Sequence, residues 1–84
     1  MKDAMKIAAD GTSQTVAPAG KKFTLEEMQG HVGGYIAPIP LPGKRIMLVD
    51  EDGMPKGLPV NPTATEIAGQ RIVGPVLVMP RTMF

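Results

Sequence analysis

The sequence predicts a small α+β domain: a mainly antiparallel sheet of four to five short strands, with one or two short helices on one face. Three observations favour this class. The chain has 84 residues, which is enough for one hydrophobic core but not for two. Its 10 glycines and 9 prolines require short, frequently interrupted elements. Two helix-capping signals lie between segments whose residues are typical of strands.

The first predicted elements form a hairpin. Met5 to Ala9 is apolar enough for a short strand, and Asp10-Gly11 is a good turn sequence. Ser13 to Ala17 can then return as a second strand. The preceding residues are expected to be a loose leader and the last residues an apolar tail, so that the predicted organisation is leader, single domain and tail: residues 1–4, 5–80 and 81–84.

A capping box gives the strongest local signal. The Thr24 hydroxyl can accept from the amide of Glu27, whose carboxylate can accept from the amide of Thr24. The predicted helix begins at Leu25 and ends at Val32, and these two residues share an apolar face with Met28. The glycine pair that follows is expected to end the helix, because glycine adopts the left-handed conformation without strain.

Two further strands are predicted after this helix. Tyr35 to Leu41 is predicted to be an extended segment, in which alternate residues point the same way, so Tyr35, Ala37, Ile39 and Leu41 are expected to face the core. Pro38 and Pro40 are two residues apart and remove donors from the same side, so this strand is expected either to lie at an edge of the sheet or to be paired only in its first half. Arg45 to Asp50 contains four consecutive apolar residues and is predicted to be a central strand covered on both faces.

The C-terminal part predicts one more helix and one more strand. Asn61-Pro62 can supply an N-cap and a first helical residue, and a capping box beginning at Thr63 is an alternative start. Either start gives a short helix that ends near Ala68. Ile72 to Met79 is predicted as the last strand, with a bulge or kink at Gly74-Pro75.

Composition argues against catalysis, metal sites and cofactors. The chain has no cysteine and one histidine, so neither a disulfide nor a thiolate metal site can form. His31 has no motif that would orient it as a general base, and Ser13 is not in a nucleophile elbow. Asp50-Glu51-Asp52-Gly53 does not fit the spacing of a calcium-binding loop and is expected to be an acidic turn. We therefore expect a protein that is not an enzyme and that binds no cofactor or metal.

Two sets of residues are candidate binding sites. The loop from Lys56 to Asn61 is a candidate, because its proline makes it rigid and rigid loops bind without a large ordering cost. Tyr35 belongs to the same candidate set. The alternative is that the loop simply folds back over the core. The candidate partner-binding residues are Tyr35, Lys56, Gly57, Leu58, Pro59 and Asn61, and a candidate basic patch consists of Lys21, Lys22, Lys44 and Arg45.

Two other features bear on partners. The net charge of +1 does not favour nucleic acid as the partner, because nucleic-acid-binding proteins usually carry a stronger positive balance. An edge strand, a small core and the apolar terminal residues Met83 and Phe84 favour a homodimer. No apolar run approaches the length of a membrane span.

Several motifs, in order, resemble a known family. They are Val32-Gly33-Gly34-Tyr35-Ile36, Leu48-Val49-Asp50-Glu51-Asp52-Gly53, Lys56-Gly57-Leu58-Pro59-Val60-Asn61 and Ile72-Val73-Gly74-Pro75-Val76-Leu77-Val78. Together they resemble a small domain-of-unknown-function family carried by bacteriophages, plasmids and their bacterial hosts. The resemblance covers about Met5 to Met79.

The resemblance implies the biological setting in which the protein acts, but it implies no particular reaction. The expected function is a non-enzymatic accessory protein of a phage or other mobile element in the host cytoplasm. It would bind a host protein or a small nucleotide signal, for example to modulate host defence. The alternative is a nucleic-acid-associated accessory protein, which would depend on the basic patch.

Overall fold

One five-stranded antiparallel sheet organises the computed structural model, which describes residues 4–84. The strand order is β2-β1-β5-β4-β3, and every neighbouring pair is antiparallel. This architecture confirms the predicted α+β class. The strands are β1 (Ala4–Ile7), β2 (Ser13–Val16), β3 (Ile36–Leu41), β4 (Arg45–Asp50) and β5 (Val76–Pro80), and the helices are α1 (Leu25–Val32), α2 (Pro62–Ala68) and a 3₁₀ turn (Arg81–Met83).

The two helices lie on opposite faces of the sheet. Leu48 of β4 and Leu77 of β5 belong to an apolar cluster that contains Met28 of α1. Met47, on the other face of β4, belongs to a second cluster that contains Ala64 of α2. The sequence predicted the helices on one face, but a central strand that is apolar on both faces needs a cover on each side. One short helix on each face provides it.

Helix α1 has the predicted bounds and the predicted cap. The Thr24 hydroxyl accepts from the Glu27 amide (3.1 Å), and the Glu27 carboxylate accepts from the Thr24 amide (2.8 Å). Met28 and Val32 are buried, as expected. Leu25 is 56% exposed, which corrects the prediction that it faces the core: only the later turns of α1, through Met28 and Val32, contribute to the apolar cluster.

Strand β3 lies at the edge of the sheet, as its prolines predicted. The Glu51 amide donates to the Tyr35 carbonyl (2.8 Å), and in an antiparallel pair every second residue repeats this orientation towards the neighbouring strand. The intervening residues Pro38 and Pro40 therefore face outward. Their missing N–H groups leave this edge unable to accept a further strand.

The last strand is shorter than predicted. It begins at Val76, because Gly74 has a φ of +76° and turns the chain just before it. The preceding segment pairs instead with the loop before α2: the Gly74 amide donates to the Pro59 carbonyl (2.8 Å), and Val73 forms an isolated bridge with Val60. Pro80 is the last residue of β5 rather than the residue that stops it.

The two predicted terminal segments are partly built into the fold. Ala4 is buried as the first residue of β1, while the other residues of the predicted leader, 1–3, lie outside the described residues. At the other end, Met83 is buried in the α1-side cluster, and its carbonyl accepts from the Phe23 amide (3.0 Å). The apolar tail thus packs on its own sheet, although Phe84 is 42% exposed.

Candidate functional site

A buried carboxylate at the end of β4 anchors the candidate site. The Asp50 side chain is only 1% exposed, and its Oδ2 accepts from Lys56 Nζ at 2.8 Å. Its Oδ1 accepts from the Asp52 amide at 2.8 Å, which fixes the turn after the strand. The Lys56 ammonium is also 3.4 Å from the Gly33 carbonyl at the end of α1. One ion pair therefore ties the acidic turn to the end of the first helix.

The environment of Asp50 favours its charged form. Burial of the Asp50 carboxyl raises its pKa, but the hydrogen bonds from Lys56 and Asp52, together with the charge of Lys56, outweigh burial. The pKa therefore lies below the usual value of 3.8. Asp50 is ionised at neutral pH and holds Lys56 across the turn.

The glycine pair after α1 serves two different needs. Gly33 has a φ of +94° and ends the helix, with its amide donating to the Gln29 carbonyl (2.7 Å). Gly34 lies directly under the ion pair: a Cβ atom there would be 2.6 Å from Lys56 Nζ and 3.1 Å from Asp50 Oδ2. Gly33 is required by backbone conformation, whereas Gly34 is required by close approach.

Tyr35 projects outward from this anchored segment. The sequence predicted that it faces the core, but its side chain is 68% exposed. Tyr35 precedes the first residue of β3, and its side chain lies beside the end of α1 rather than in either apolar cluster. It borders a shallow surface depression, which we call the Tyr35 surface, lined by Gln29, Gly30, Gly34, Tyr35, Asp52 and Lys56.

Asn61, a predicted partner-binding residue, belongs instead to the core. It is fully buried, and its Nδ2 donates to the carbonyls of Ile7 (3.0 Å) and Gly74 (2.9 Å). Its Oδ1 accepts from the Ala64 amide (3.0 Å) and so caps α2. With its side-chain amide fully occupied, Asn61 has no group left for a partner.

The rest of the predicted recognition loop is mostly structural. The Leu58 side chain packs over Gly74 and Gly53, where added Cβ atoms would be 2.6 Å and 3.6 Å from its Cδ1. Gly57 has a φ of +71°, so it is a turn residue. The Pro59 carbonyl is used by Gly74, as described above. Of the six predicted contact residues, the structure brings only Tyr35 and Lys56 together on one surface.

The basic residues of the predicted patch flank the C-terminal turn. The Phe23 amide follows Lys21 and Lys22 and donates to the carbonyl of Met83. The Arg81 amide donates to the carbonyl of Lys44 (3.0 Å), and Arg45 follows as the first residue of β4. Both pairs are exposed, and they lie at the end of the sheet opposite to Asp50.

Sequence reasoning missed Asp50 and Gly34 as parts of the site. The acidic run 50–52 is predicted to be a turn, and no local pattern shows which of its carboxylates is buried. An acidic residue that directly ends a continuous apolar strand was the available signal. Gly34 was assigned to the helix stop together with Gly33, because the lysine that approaches it is 22 positions further along the chain.

No metal or membrane feature emerges in the part of the chain that the structure describes. Residues 4–84 contain no group of three or more His, Asp and Glu side chains that is arranged to hold a metal ion. His31 lies edge-on to Phe23, with ring centroids 6.2 Å apart. No helix among these residues is long and apolar enough to cross a membrane.

Comparison with known proteins identifies a family. Residues 1–82 match the family model described as Domain of unknown function (DUF3846). The chain belongs to this family. No curated protein and no solved structure matches it. The DUF3846 match covers β1 through β5 and ends within the 3₁₀ turn, so the sheet, both helices and the Tyr35 surface lie within the family domain.

Proposed function

We propose that this DUF3846 protein is a non-enzymatic binding protein of a phage or other mobile element. It acts in the cytoplasm of the bacterial host by occupying a host protein, for example a component of a defence system. The observation that supports it best is an exposed tyrosine held on a rigid backbone. The resemblance in motif order to domains carried by phages and plasmids supports the setting.

The backbone of Tyr35 is held on both sides. The helix cap at Gly33 and the ion pair over Gly34 fix the chain before it, and the hydrogen bond from the Glu51 amide fixes its own carbonyl. A side chain presented from a fixed backbone loses little conformational entropy on binding. Tyrosine is also one of the residue types most enriched at the energetic centres of protein interfaces. Tyr35 therefore has the properties of an interface anchor.

The charges around Tyr35 favour a protein over a nucleotide. Lys56 is the cation that lines the surface, and it is already paired with Asp50. A phosphate group placed there would also meet the carboxylate of Asp52, with Glu51 beside it in the chain. An open depression lined by one paired cation and by a carboxylate that forms no ion pair among residues 4–84 suits a partner protein whose surface carries a cation or hydrogen-bond donors.

Affinity purification from a host lysate with matched variants tests the proposal. Leu25→Ala is the control, because Leu25 is also a large exposed apolar residue but lies at the other end of α1. We expect a host protein that wild type and Leu25→Ala retain equally and that Tyr35→Ala retains at least about tenfold less, as for an anchor residue contributing about 1.4 kcal/mol or more. The affinities are then measured with the purified partner.

Two results would overturn this assignment. One is that Tyr35→Ala retains every partner as well as wild type does. The other is a small molecule on the protein when it is purified gently from bacterial cells, seen by native mass spectrometry as a mass that is lost on activation. The second result would replace the protein partner with a small ligand.

The proposal includes a homodimer through the free edge of β2. The Ala8 amide donates to the Thr12 carbonyl (2.8 Å), so the alternation of an antiparallel pair points the backbone groups of Ser13 and Thr15 outward. Unlike β3, this edge carries no proline, and two copies of β2 can pair about a twofold axis.

Thr15→Pro tests the homodimer, because it removes an outward N–H and leaves the bonds to β1 intact. We expect a dimeric wild type and a monomeric Thr15→Pro by sedimentation velocity. Gln14→Pro is the contrasting variant: it removes an inward N–H and should lower the melting temperature. A wild type that is monomeric, or a Thr15→Pro variant that remains dimeric, would rule out this edge.

A further inference from the structure

The net charge of the chain is small, but the two ends of the sheet carry opposite charges. Strand β4 begins with Arg45 and ends with Asp50, about 17 Å apart at about 3.3 Å per residue. Lys44 precedes the basic end, and Glu51 and Asp52 follow the acidic end. The β1–β2 turn, which contains an aspartate, lies at the acidic end as well, because β1 is antiparallel to β5 and its last residue pairs with the first residue of β5. The charges are therefore segregated along the strand direction.

Two backbone hydrogen bonds assemble the basic end. The short 3₁₀ turn is joined at its first residue, Arg81, to Lys44, and at its last residue, Met83, to Phe23. The turn thus connects two basic pairs that are more than 20 positions apart in the sequence and adds a cation of its own. We call this region the basic end; its exposed cations are Lys21, Lys22, Lys44, Arg45 and Arg81.

The carboxylates near the basic end do not neutralise it. Glu26 and Glu27 lie in the first turn of α1. The Glu27 carboxylate accepts from the amides of Thr24 (2.8 Å) and Ala19 (2.9 Å), so it is directed to the backbone. Among residues 4–84 the one ion pair is that of Lys56, at the acidic end. The five cations of the basic end are therefore available to an external anion.

We propose that the basic end binds the phosphodiester backbone of nucleic acid without reading its sequence. Exposed lysine and arginine side chains spread over one end of a domain are the usual footprint of phosphate-backbone binding. A membrane would need an apolar face beside the cations, and an acidic protein would need a packed apolar centre. The large apolar side chains exposed near this end include Phe84, which follows the 3₁₀ turn, and Leu25, in the first turn of α1. The five cations outnumber them, which favours a polyanion over a membrane.

This activity is separate from the proposed Tyr35 interface, because the two surfaces lie at opposite ends of β4. A DUF3846 protein with both surfaces can hold a partner protein against nucleic acid. The low net charge does not oppose this, since local potential rather than total charge attracts a polyanion.

Fluorescence anisotropy with a labelled 20-base-pair duplex tests the proposal. Titrations between about 50 and 200 mM salt should give an affinity that falls linearly on logarithmic axes, by about 0.9 per phosphate contacted. Arg81→Gln and Arg71→Gln form a matched pair, because they make the same change of charge at opposite ends; Arg71 is exposed and lines a groove with Asp50 and Glu51.

We expect Arg81→Gln to weaken binding about three- to tenfold at 50 mM salt and to reduce the slope by about 1. Arg71→Gln should change neither, and the Lys21→Gln/Lys22→Gln/Lys44→Gln variant should abolish measurable binding while its melting curve stays that of a folded protein. Equal losses in Arg81→Gln and Arg71→Gln, or no binding to the duplex at 50 mM salt, would overturn the proposal. So would tighter binding to anionic vesicles than to the duplex.

Discussion

Two short segments of this domain each begin with a glycine, and they have opposite roles in the structure. The segments 33–35 and 57–61 each begin with a glycine of positive φ and contain a residue that was predicted to bind a partner. In the first, the polar anchor is supplied from elsewhere, by Asp50 and Lys56, and Tyr35 is left exposed. In the second, Asn61 is itself the anchor and is fully buried. The side chain that provides the hydrogen bonds becomes part of the core, and the side chain whose backbone is held by other residues stays exposed.

The largest expected effect comes from the buried anchor. Asn61→Ala removes two donors to buried carbonyls and the acceptor that caps α2, so we expect a loss of about 3 kcal/mol in the free energy of unfolding. Thr24→Ala removes an exposed cap and should lose only about 1 kcal/mol. Urea denaturation measures both. If both variants lost the same free energy of unfolding, the buried cap at Asn61 would contribute no more than the exposed cap at Thr24.

Next in size is the anchor under Tyr35. Asp50→Asn removes the charge that holds Lys56, and we expect it to lower the free energy of unfolding by about 2 kcal/mol at neutral pH. The sign of the pH dependence follows from the lowered pKa: the contribution of Asp50 is present above the unfolded value of 3.8 and is lost as pH falls through the lower folded value.

Denaturation at a series of pH values from 7 to 2.5 checks this dependence. The difference in stability between wild type and Asp50→Asn should shrink as the pH falls below 3.8, and it should be constant above about pH 5. Asp10→Asn is the comparison variant: the Thr12 amide lowers the pKa of Asp10 as well, but in an exposed turn without an ion pair among residues 4–84, so its difference should shrink over the same pH range and be smaller. A difference that stays constant down to pH 2.5 would mean that the ion pair does not stabilise the fold.

The same comparison shows how far the sequence could predict this protein. The capping box, the edge prolines and the apolar run of β4 are local signals, and each predicted its element correctly. The predicted orientation of Tyr35 was wrong, and Asn61, although correctly predicted as the N-cap of α2, is buried rather than available to a partner. Both depend on groups brought close only by folding, Glu51 for the tyrosine and Ile7 and Gly74 for the asparagine.

The face covered by α2 has the same explanation. A strand such as Met47-Leu48-Val49 shows that both faces are buried, but it carries no signal for which helix covers which face. That choice follows from the hydrogen bonds of Asn61 and from the pairing of the Gly74 amide with Pro59, which hold the start of α2 against its face. Such long-range contacts have no local pattern.

A smaller effect separates the two adjacent glycines. Gly34→Ala should destabilise the fold by about 1 kcal/mol by displacing Lys56, the flexible end of the ion pair. Gly33→Ala should cost about as much through its φ of +94°, although nothing lies within 4 Å of the added atom. A double-mutant cycle with Lys56→Ala distinguishes the causes. The loss at Gly34 should shrink in the Lys56→Ala background, leaving the part that comes from the Asp50 oxygens, and the loss at Gly33 should persist. An undiminished loss at Gly34 would mean that the added Cβ does not act by displacing Lys56.

The smallest expected effect on stability belongs to Tyr35. Its side chain is mostly exposed, and the bonds that fix its backbone do not involve the ring, so Tyr35→Ala should change the free energy of unfolding by less than about 0.5 kcal/mol. Urea denaturation beside Asn61→Ala measures the contrast directly. A loss of more than about 1 kcal/mol would mean that the ring packs on the end of α1 and belongs to the fold. A stability close to wild type would make Tyr35→Ala a variant whose binding defects report on the surface alone, which the purification experiment requires.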